Sequence, residues 1–303
     1  MMASLSESSI KQYDVCLKKW WSFCQAHSVE PYEATIPTVI SFLTNLFTDG
    51  YQYGSLNSYR SALSLILGPT LAKDEYLHRF FKGVFRLRPP VPKYNATWDT
   101  SCVLNHLSIW YPNEELDLCK LSKKTITLLA LTTAHRLQTI SKINVKNIET
   151  SDDRISIKIP DILKTSRPGC KQPVLFLPFF NDKPSICPAK TLQIYISKTE
   201  SLRTSEMLFI GLKKPHNAVG TQTLSRWIKR TLGECGVDTA VFTAHSTRHA
   251  AASAAHSLGV SVDTIRSTAG WSHNSSTFAR FYNRVVGDAD LALARTIIDN
   301  HSP

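Results

Sequence analysis

A proline-rich segment, Arg88-Pro89-Pro90-Val91-Pro92-Lys93, limits what this chain of 303 residues can fold into. Each proline lacks a backbone N–H donor and disfavours helix in the residue before it, so no helix can run through the segment. A short, stiff and extended stretch of this kind is typical of a linker. We therefore expect two domains, over residues 1–90 and 98–303, joined by a linker over residues 91–97.

The residues before the linker have the spacing of amphipathic helices. Apolar side chains recur every three or four positions in four stretches, which begin near Ser8-Ser9, Pro37, Gly54-Ser55 and Asp74. Serine and aspartate are common helix N-caps, and proline is tolerated in the first helical turn. These patterns predict a small bundle of four helices.

The larger part of the chain mixes strand and helix patterns. Ile155, Ile157 and Ile159 alternate with polar residues, which is typical of a half-buried strand, and residues 174–180 form a second strand pattern after a turn-rich stretch. Helical spacing predicts helices over residues 121–146, 188–203, 221–235, 246–258, 262–269, 274–283 and 288–298. We expect a mainly α-helical fold with a small antiparallel sheet, in the α+β class.

The charge of the chain restricts its partners. Thirty-five Lys and Arg residues exceed 24 Asp and Glu residues, which gives a formal net charge of +11. A field of this sign attracts polyanions, so nucleic acid or an anionic membrane surface is the natural partner. No apolar run approaches the roughly 18 residues of a transmembrane helix, and the first residues lack the pattern of a secretory signal.

Several kinds of site are excluded by the sequence. The 7 cysteines are scattered and form no Cys-x-x-Cys pair, which argues against a disulfide framework and a zinc ribbon and favours reduced thiols in an intracellular protein. The chain also lacks the glycine-rich loops that cradle a nucleotide and the Gly-x-Ser-x-Gly elbow of a hydrolase. We expect no cofactor.

One polar segment, residues 245–249, begins an Ala- and Ser-rich helix. His245 and Arg248 are three apart, so they would share a helix face at an N-terminus whose dipole favours an anion such as a phosphate. The alternative is a capped helix with a surface arginine. His245 and His249 have the spacing of a zinc-protease helix, but Ser246 stands where glutamate is needed, and His256 would lie roughly 10 Å further along. We therefore expect no metal site.

Further polar residues fall in a recognisable order around this segment. Arg136 directly follows an apolar helical run, Lys164 lies at the end of the first strand of the predicted hairpin, and Trp271 and Tyr282 come after Arg248. Together with His245, this ordered set resembles the catalytic residues of the tyrosine recombinases, the phage-integrase-type DNA strand transferases. The segments around Trp271 and Tyr282 look most like those of recombinases from eukaryotic mobile elements, the Crypton and DIRS-like groups.

The resemblance covers nearly the whole chain, because the four-helix part resembles the family's core-binding domain. Two features depart from the family pattern. The interval from Trp271 to Tyr282 is longer than in bacterial members, and the lysine is loosely fixed, since Lys158 or Lys171 could serve in place of Lys164. Taken singly, Trp271 could be a core residue, Tyr282 an aromatic packed beside its neighbour, and Lys164 a solvated turn residue.

The resemblance implies a metal-free transesterification on DNA. In that reaction Tyr282 attacks the scissile phosphate and leaves a 3′-phosphotyrosyl link and a free 5′-hydroxyl, while Arg136 and Arg248 neutralise the phosphate oxygens. His245 would accept or return the tyrosine proton, and Lys164 would protonate the leaving 5′-oxygen. Trp271 would donate a hydrogen bond through its indole N–H and support the helix that carries Tyr282.

The resemblance also implies partners and a location. The two domains would form a C-shaped clamp around double-stranded DNA, bound mostly through phosphates. We expect a homo-oligomer, a dimer on one site and a tetramer on paired sites, with possible exchange of the helix at 288–298, no membrane partner and a nuclear location. Two alternatives stay open: an enzyme like a type IB topoisomerase, and a domesticated, catalytically silent DNA-binding protein.

Overall fold

The computed structural model describes residues 4–91, 93–94, 96–169 and 171–271. The chain divides into two compact units between Lys93 and Tyr94. The division falls at the C-terminal end of the proline-rich segment. Each unit has a hydrophobic core of its own.

Four α-helices form the first unit, as the apolar spacing predicts. They are α1 (Glu7–His27), α2 (Ile36–Thr48), α3 (Tyr53–Ile66) and α4 (Glu75–Leu87), and a 3-10 turn over Pro69–Lys73 precedes α4. Ser6 caps α1 by accepting a hydrogen bond from the backbone N–H of Ser9, and Asp74 caps α4 by accepting one from the N–H of Leu77. Buried side chains from all four helices, among them Trp20, Leu43, Leu56 and Leu77, make the core.

Helices and one small sheet form the second unit. The helices are α5 (Thr100–Ile109), α6 (Leu118–Thr133), α7 (Leu137–Ile140), α8 (Pro188–Thr199), α9 (Thr221–Glu234), α10 (Ser246–Ser257) and α11 (Val262–Thr268). The strands β1 (Ile148–Thr150), β2 (Arg154–Lys158) and β3 (Val174–Pro178) pair antiparallel in that order. This architecture confirms the expected mainly α-helical fold with a small antiparallel sheet.

Helix α6 lies at the centre of the second unit, and every residue from Leu121 to Leu131 is buried. One face of the sheet packs on the same core, because Ile155 and Ile157 of β2 point inward opposite Leu177 and Leu175 of β3. The alternation of apolar and polar residues in the sequence is therefore the alternation of the pleat.

One local prediction is wrong, and two elements were not foreseen. The helix predicted over residues 121–146 ends at Thr133, because Ala134 takes a left-handed conformation with φ 50°, and the four-residue α7 follows after a break. Helix α5 and strand β1 had no counterpart among the predictions. The predicted helices at 274–283 and 288–298 lie outside the described residues. Within those residues, no helix is long and apolar enough to cross a membrane.

Candidate active site

The break between α6 and α7 positions Arg136. Ala134 ends α6, the backbone N–H of His135 donates a hydrogen bond to Oγ1 of Thr133, and Arg136 is the extended residue that begins α7. The backbone carbonyl of Arg136 accepts a hydrogen bond from Thr139 in the first turn of α7. Arg136 is half-buried and belongs to a fixed turn between two helices.

Arg248 lies in the first turn of α10 and is almost completely buried, with 1% of its surface exposed. Its Nη1 donates hydrogen bonds to the carbonyl of Ala134 and, at 2.7 Å, to the carbonyl of Ala269. These bonds to the backbone on two sides fix the orientation of the guanidinium plane. A guanidinium held in this way is preorganised for an anion, since it need not reorganise when one binds.

Trp271 packs directly against this guanidinium. Cζ of Arg248 lies 3.8 Å from the centroid of the Trp271 ring, which is a cation–π contact. The indole is 7% exposed and belongs to a small apolar cluster with Ala134, Ala252 and Ala269. Trp271 is thus both a core residue and a neighbour of Arg248, so the two interpretations drawn from the sequence are compatible.

His245 immediately precedes α10 and is exposed, in contrast to the buried Arg248 one turn later. Its ring meets the ring of His249 edge to face, with centroids 5.5 Å apart. The start of α10 is anchored from the other side, where the indole N–H of Trp98 donates a hydrogen bond of 2.9 Å to Oγ of Ser246. The Ala- and Ser-rich helix α10 is mostly buried.

His135 is the residue at this site that sequence reasoning missed. Burial lowers the pKa of its imidazole to about 4, with a further lowering by the positive charges of Arg248 and Arg136 and an opposing effect from a hydrogen bond to the backbone of Thr268. The residue is therefore a neutral imidazole close to both guanidiniums. Its one sequence signal is a polar side chain directly between the apolar run of α6 and Arg136.

The lysine of the hairpin is placed differently from the prediction. Strand β2 ends at Lys158, so Lys164 lies well beyond the strand, exposed, in the loop that leads to β3. Lys158 forms an exposed ion pair of 2.5 Å with Glu149 on the neighbouring strand β1. Lys171 is exposed in the same loop as Lys164.

The structure thus brings part of the predicted set together. Arg248 and Trp271 are in contact, and Arg136 lies in the turn whose residue Ala134 accepts a hydrogen bond from Arg248. His245 lies at the N-terminal end of the same helix as Arg248, and Lys164 lies in the loop of the sheet. Tyr282 lies outside the described residues. Over the described ranges, no three His, Cys, Asp or Glu side chains group as metal ligands would.

Comparison with known families gives one match. The profile of the phage integrase family matches residues 111–286, a range that includes all six predicted site residues. No curated protein sequence matches the chain.

Solved structures share the fold at low sequence identity. The XerH site-specific recombinase bound to difH substrate is 14% identical, with a TM-score of 0.61 over 94% of this chain and 78% of that one. A lambda integrase dimer bound to a COC′ core site is 16% identical, with a TM-score of 0.56 over 94% and 91% of the two chains. The Tn1549 transposon integrase in complex with circular intermediate DNA is 13% identical, with a TM-score of 0.55 over 89% and 87%.

Proposed function

The chain belongs to the phage integrase family, and on that premise we propose that it is a tyrosine recombinase that cleaves and rejoins double-stranded DNA through a 3′-phosphotyrosyl intermediate. The observation that carries the proposal is the buried guanidinium of Arg248. It is fixed by two backbone carbonyls and the ring of Trp271, beside the turn that bears Arg136. Burying an arginine is costly, and this cost is understandable where a fixed cation must meet an anionic substrate.

The proposed reaction needs no metal. The phenol oxygen of Tyr282 forms a bond to the scissile phosphorus, and the bond from phosphorus to the 5′-oxygen breaks. Arg136 and Arg248 neutralise the phosphate oxygens, as paired guanidiniums can. The phenol proton passes to His245, which is exposed and so accessible to a substrate, and Lys164 gives a proton to the departing 5′-oxygen. The reverse sequence rejoins a strand.

Binding to duplex DNA is supported by charge on both units. Up to Lys93 the chain has 10 Lys and Arg residues against 7 Asp and Glu residues, so the remaining surplus of positive charge lies in the second unit. Most of the affinity would come from phosphates and would fall steeply with salt.

A basic groove on the first unit is the surface proposed to meet DNA there. It has a volume of about 480 Å³ and lies between α3 and α4. Its lining combines basic and aromatic side chains, namely Tyr53, Arg60, His78, Phe81, Lys82, Phe85 and Arg86. His78, Lys82 and Arg86 are exposed and recur every four residues, so they share one face of α4.

The assembly and biological role are proposed by analogy with proteins of the same fold. The lambda integrase structures contain a dimer on a core site and a tetramer on a Holliday junction, and another similar structure is a transposon integrase. We extend both features to this chain: a dimer on one site, a tetramer on paired sites, and movement of a mobile element. A nuclear location remains a prediction, which imaging of a fluorescent fusion would check.

The test is a covalent trap with nicked duplexes. A nick just downstream of the scissile phosphate lets the short 5′ strand diffuse away, so the phosphotyrosyl intermediate accumulates and survives SDS. We expect an adduct on the 3′-phosphate in the presence of EDTA, and none with Tyr282→Phe. Salt-dependent DNA binding without any adduct would instead favour the silent DNA-binding protein. Relaxation of supercoiled DNA by a monomer, without site preference, would favour the topoisomerase.

A further inference from the structure

His135 occupies a position that connects three parts of the site. It is 7% exposed and precedes Arg136 directly in the turn between α6 and α7. Its imidazole also lies within reach of a hydrogen bond to the backbone of Thr268 at the end of α11. The side chain therefore joins the segment that carries Arg136 to the segment that leads into Trp271.

Gly270 shows how closely the ring is packed against the second segment. The glycine has a positive φ of 67°, and a Cβ atom built on it would lie 2.9 Å from Cε1 of His135. Contacts this short do not occur between real side chains, so the imidazole fills the space that a larger residue would take. Only glycine allows both the left-handed turn and the approach of the ring.

Burial first, and then the positive charges around the ring, favour the neutral form of the His135 imidazole. Among the residues that the structure describes, Arg248 of α10 and Arg136 of its own segment are the charged groups that act on the imidazole, and α11 contributes the backbone of Thr268. Protonation would place a third positive charge in the buried space beside two guanidiniums. A neutral imidazole instead supplies one N–H donor and an apolar ring face, without adding to the repulsion.

We propose that His135 is a positioning residue, whose neutral imidazole holds the Arg136 turn against the Gly270-Trp271 turn so that both arginines keep one geometry. The proposal rests on the proposed recombinase function. Arg248 bonds to the same two segments, through Ala134 and Ala269, so the two side chains form parallel connections between them. Loss of His135 leaves the Arg248 connection in place but frees the Arg136 turn to move.

Three substitutions at this position separate its roles. His135→Leu keeps an apolar side chain but removes the N–H donor, whereas His135→Asn and His135→Gln keep an amide donor that does not titrate. His106→Leu is the matched control, because His106 is a half-buried histidine of α5 whose ring meets that of Trp110 edge to face in the same unit. Circular dichroism confirms that each variant is folded before it is assayed.

The assay measures the rate of adduct formation at saturating nicked DNA and, separately, the affinity for that DNA. We expect His135→Leu to slow the saturated rate at least about tenfold while changing affinity less than about twofold, since a misplacement of about 1 Å costs catalysis but not phosphate binding. One of the two amide variants should recover the rate to within about threefold of the wild type. The control should retain the wild-type rate.

The outcomes distinguish this proposal from the function on which it rests. If the wild type forms no adduct, the recombinase function and the role of His135 both fail. If the wild type forms an adduct and His135→Leu matches it, only the positioning role is overturned. Folded Asn and Gln variants that are both as slow as the Leu variant would also overturn it, because the hydrogen bond would then carry no positioning.

Discussion

Acid should destabilise the second unit through His135. The imidazole has a pKa of about 4 in the folded chain, against 6.5 for an ordinary histidine, mainly because it is buried. Between these two values the unfolded chain binds a proton that the folded chain does not. The free energy of unfolding therefore falls as the pH drops from 6.5 towards 4, and His135 contributes no pH dependence well above 6.5.

The size of the effect follows from the two pKa values. Integrated from pH 7 to pH 5, a histidine with pKa values of 6.5 unfolded and about 4 folded costs about 2 kcal/mol of stability. Urea unfolding of the wild type and of His135→Asn at both pH values measures it. The asparagine does not titrate, so the variant should lose about 2 kcal/mol less than the wild type over this interval.

The comparison between variants removes the contribution of other titrating groups. His106→Asn, the same replacement at another histidine of the second unit, is measured in parallel as the control. Equal losses of stability for the wild type and His135→Asn would refute the burial of a neutral imidazole beside the two arginines.

Three further predictions concern the other contacts. Gly270→Ala should destabilise the second unit by about 2–4 kcal/mol, because alanine is strained at a positive φ and its Cβ would collide with the His135 ring. In a His135→Ala background this loss of stability should shrink by at least about 1 kcal/mol. Urea unfolding of the single and double variants measures both values. Lys82→Ala should weaken binding to any duplex and lower the slope of log affinity against log salt by about 1. Lys164→Ala should slow adduct formation by about 10²–10⁴-fold. A substrate with a 5′-bridging sulfur should restore the rate, because a thiolate leaves without a proton. Lys158→Ala should leave the rate of adduct formation unchanged on both substrates.

Each of these three predictions has a measurable result that would contradict it. For Gly270 the contrary result is an equal cost in both backgrounds, which would mean that His135 is not the neighbour that the added Cβ meets. For Lys82 the control is Arg79→Ala, since Arg79 lies on the same helix, pairs with Glu75 and does not line the groove. An equal change of salt slope in both variants would argue against the groove. Rescue of Lys158→Ala rather than Lys164→Ala by the sulfur substrate would transfer the proton-donor role to Lys158.

The sequence predicts the elements whose signals are local. The helices of the first unit follow from apolar spacing and caps, and the strand pattern at Ile155 and Ile157 follows from the pleat. Strand β1 has only three residues, too few to show a period. The break after Thr133 has no glycine or proline to announce it. The left-handed Ala134 lies where Arg248, distant in sequence, holds its carbonyl, so a tertiary contact accompanies the end of the helix.

The candidate site was predictable as a set of residue types and not as a geometry. Their order predicts Arg136, Arg248 and Trp271 as site residues. The spacing put Arg248 on a polar face at a helix N-terminus, whereas it is buried against carbonyls from two distant segments. Burial of a charge depends on partners brought together by the fold, and spacing along one helix does not report it. The same reason hid His135, whose environment includes Arg248 of α10 and Thr268 of α11, both distant in sequence.

The most direct test of the central claim is to identify the amino acid that becomes linked to DNA. The adduct formed on a nicked duplex would be digested with protease and nuclease, and the peptide that retains a nucleotide would be sequenced by mass spectrometry. We predict a single modified residue, Tyr282, joined to a 3′-phosphate. A nucleotide on any other residue, or an adduct that forms equally well with Tyr282→Phe, would contradict the assignment of this chain as a tyrosine recombinase that uses Tyr282.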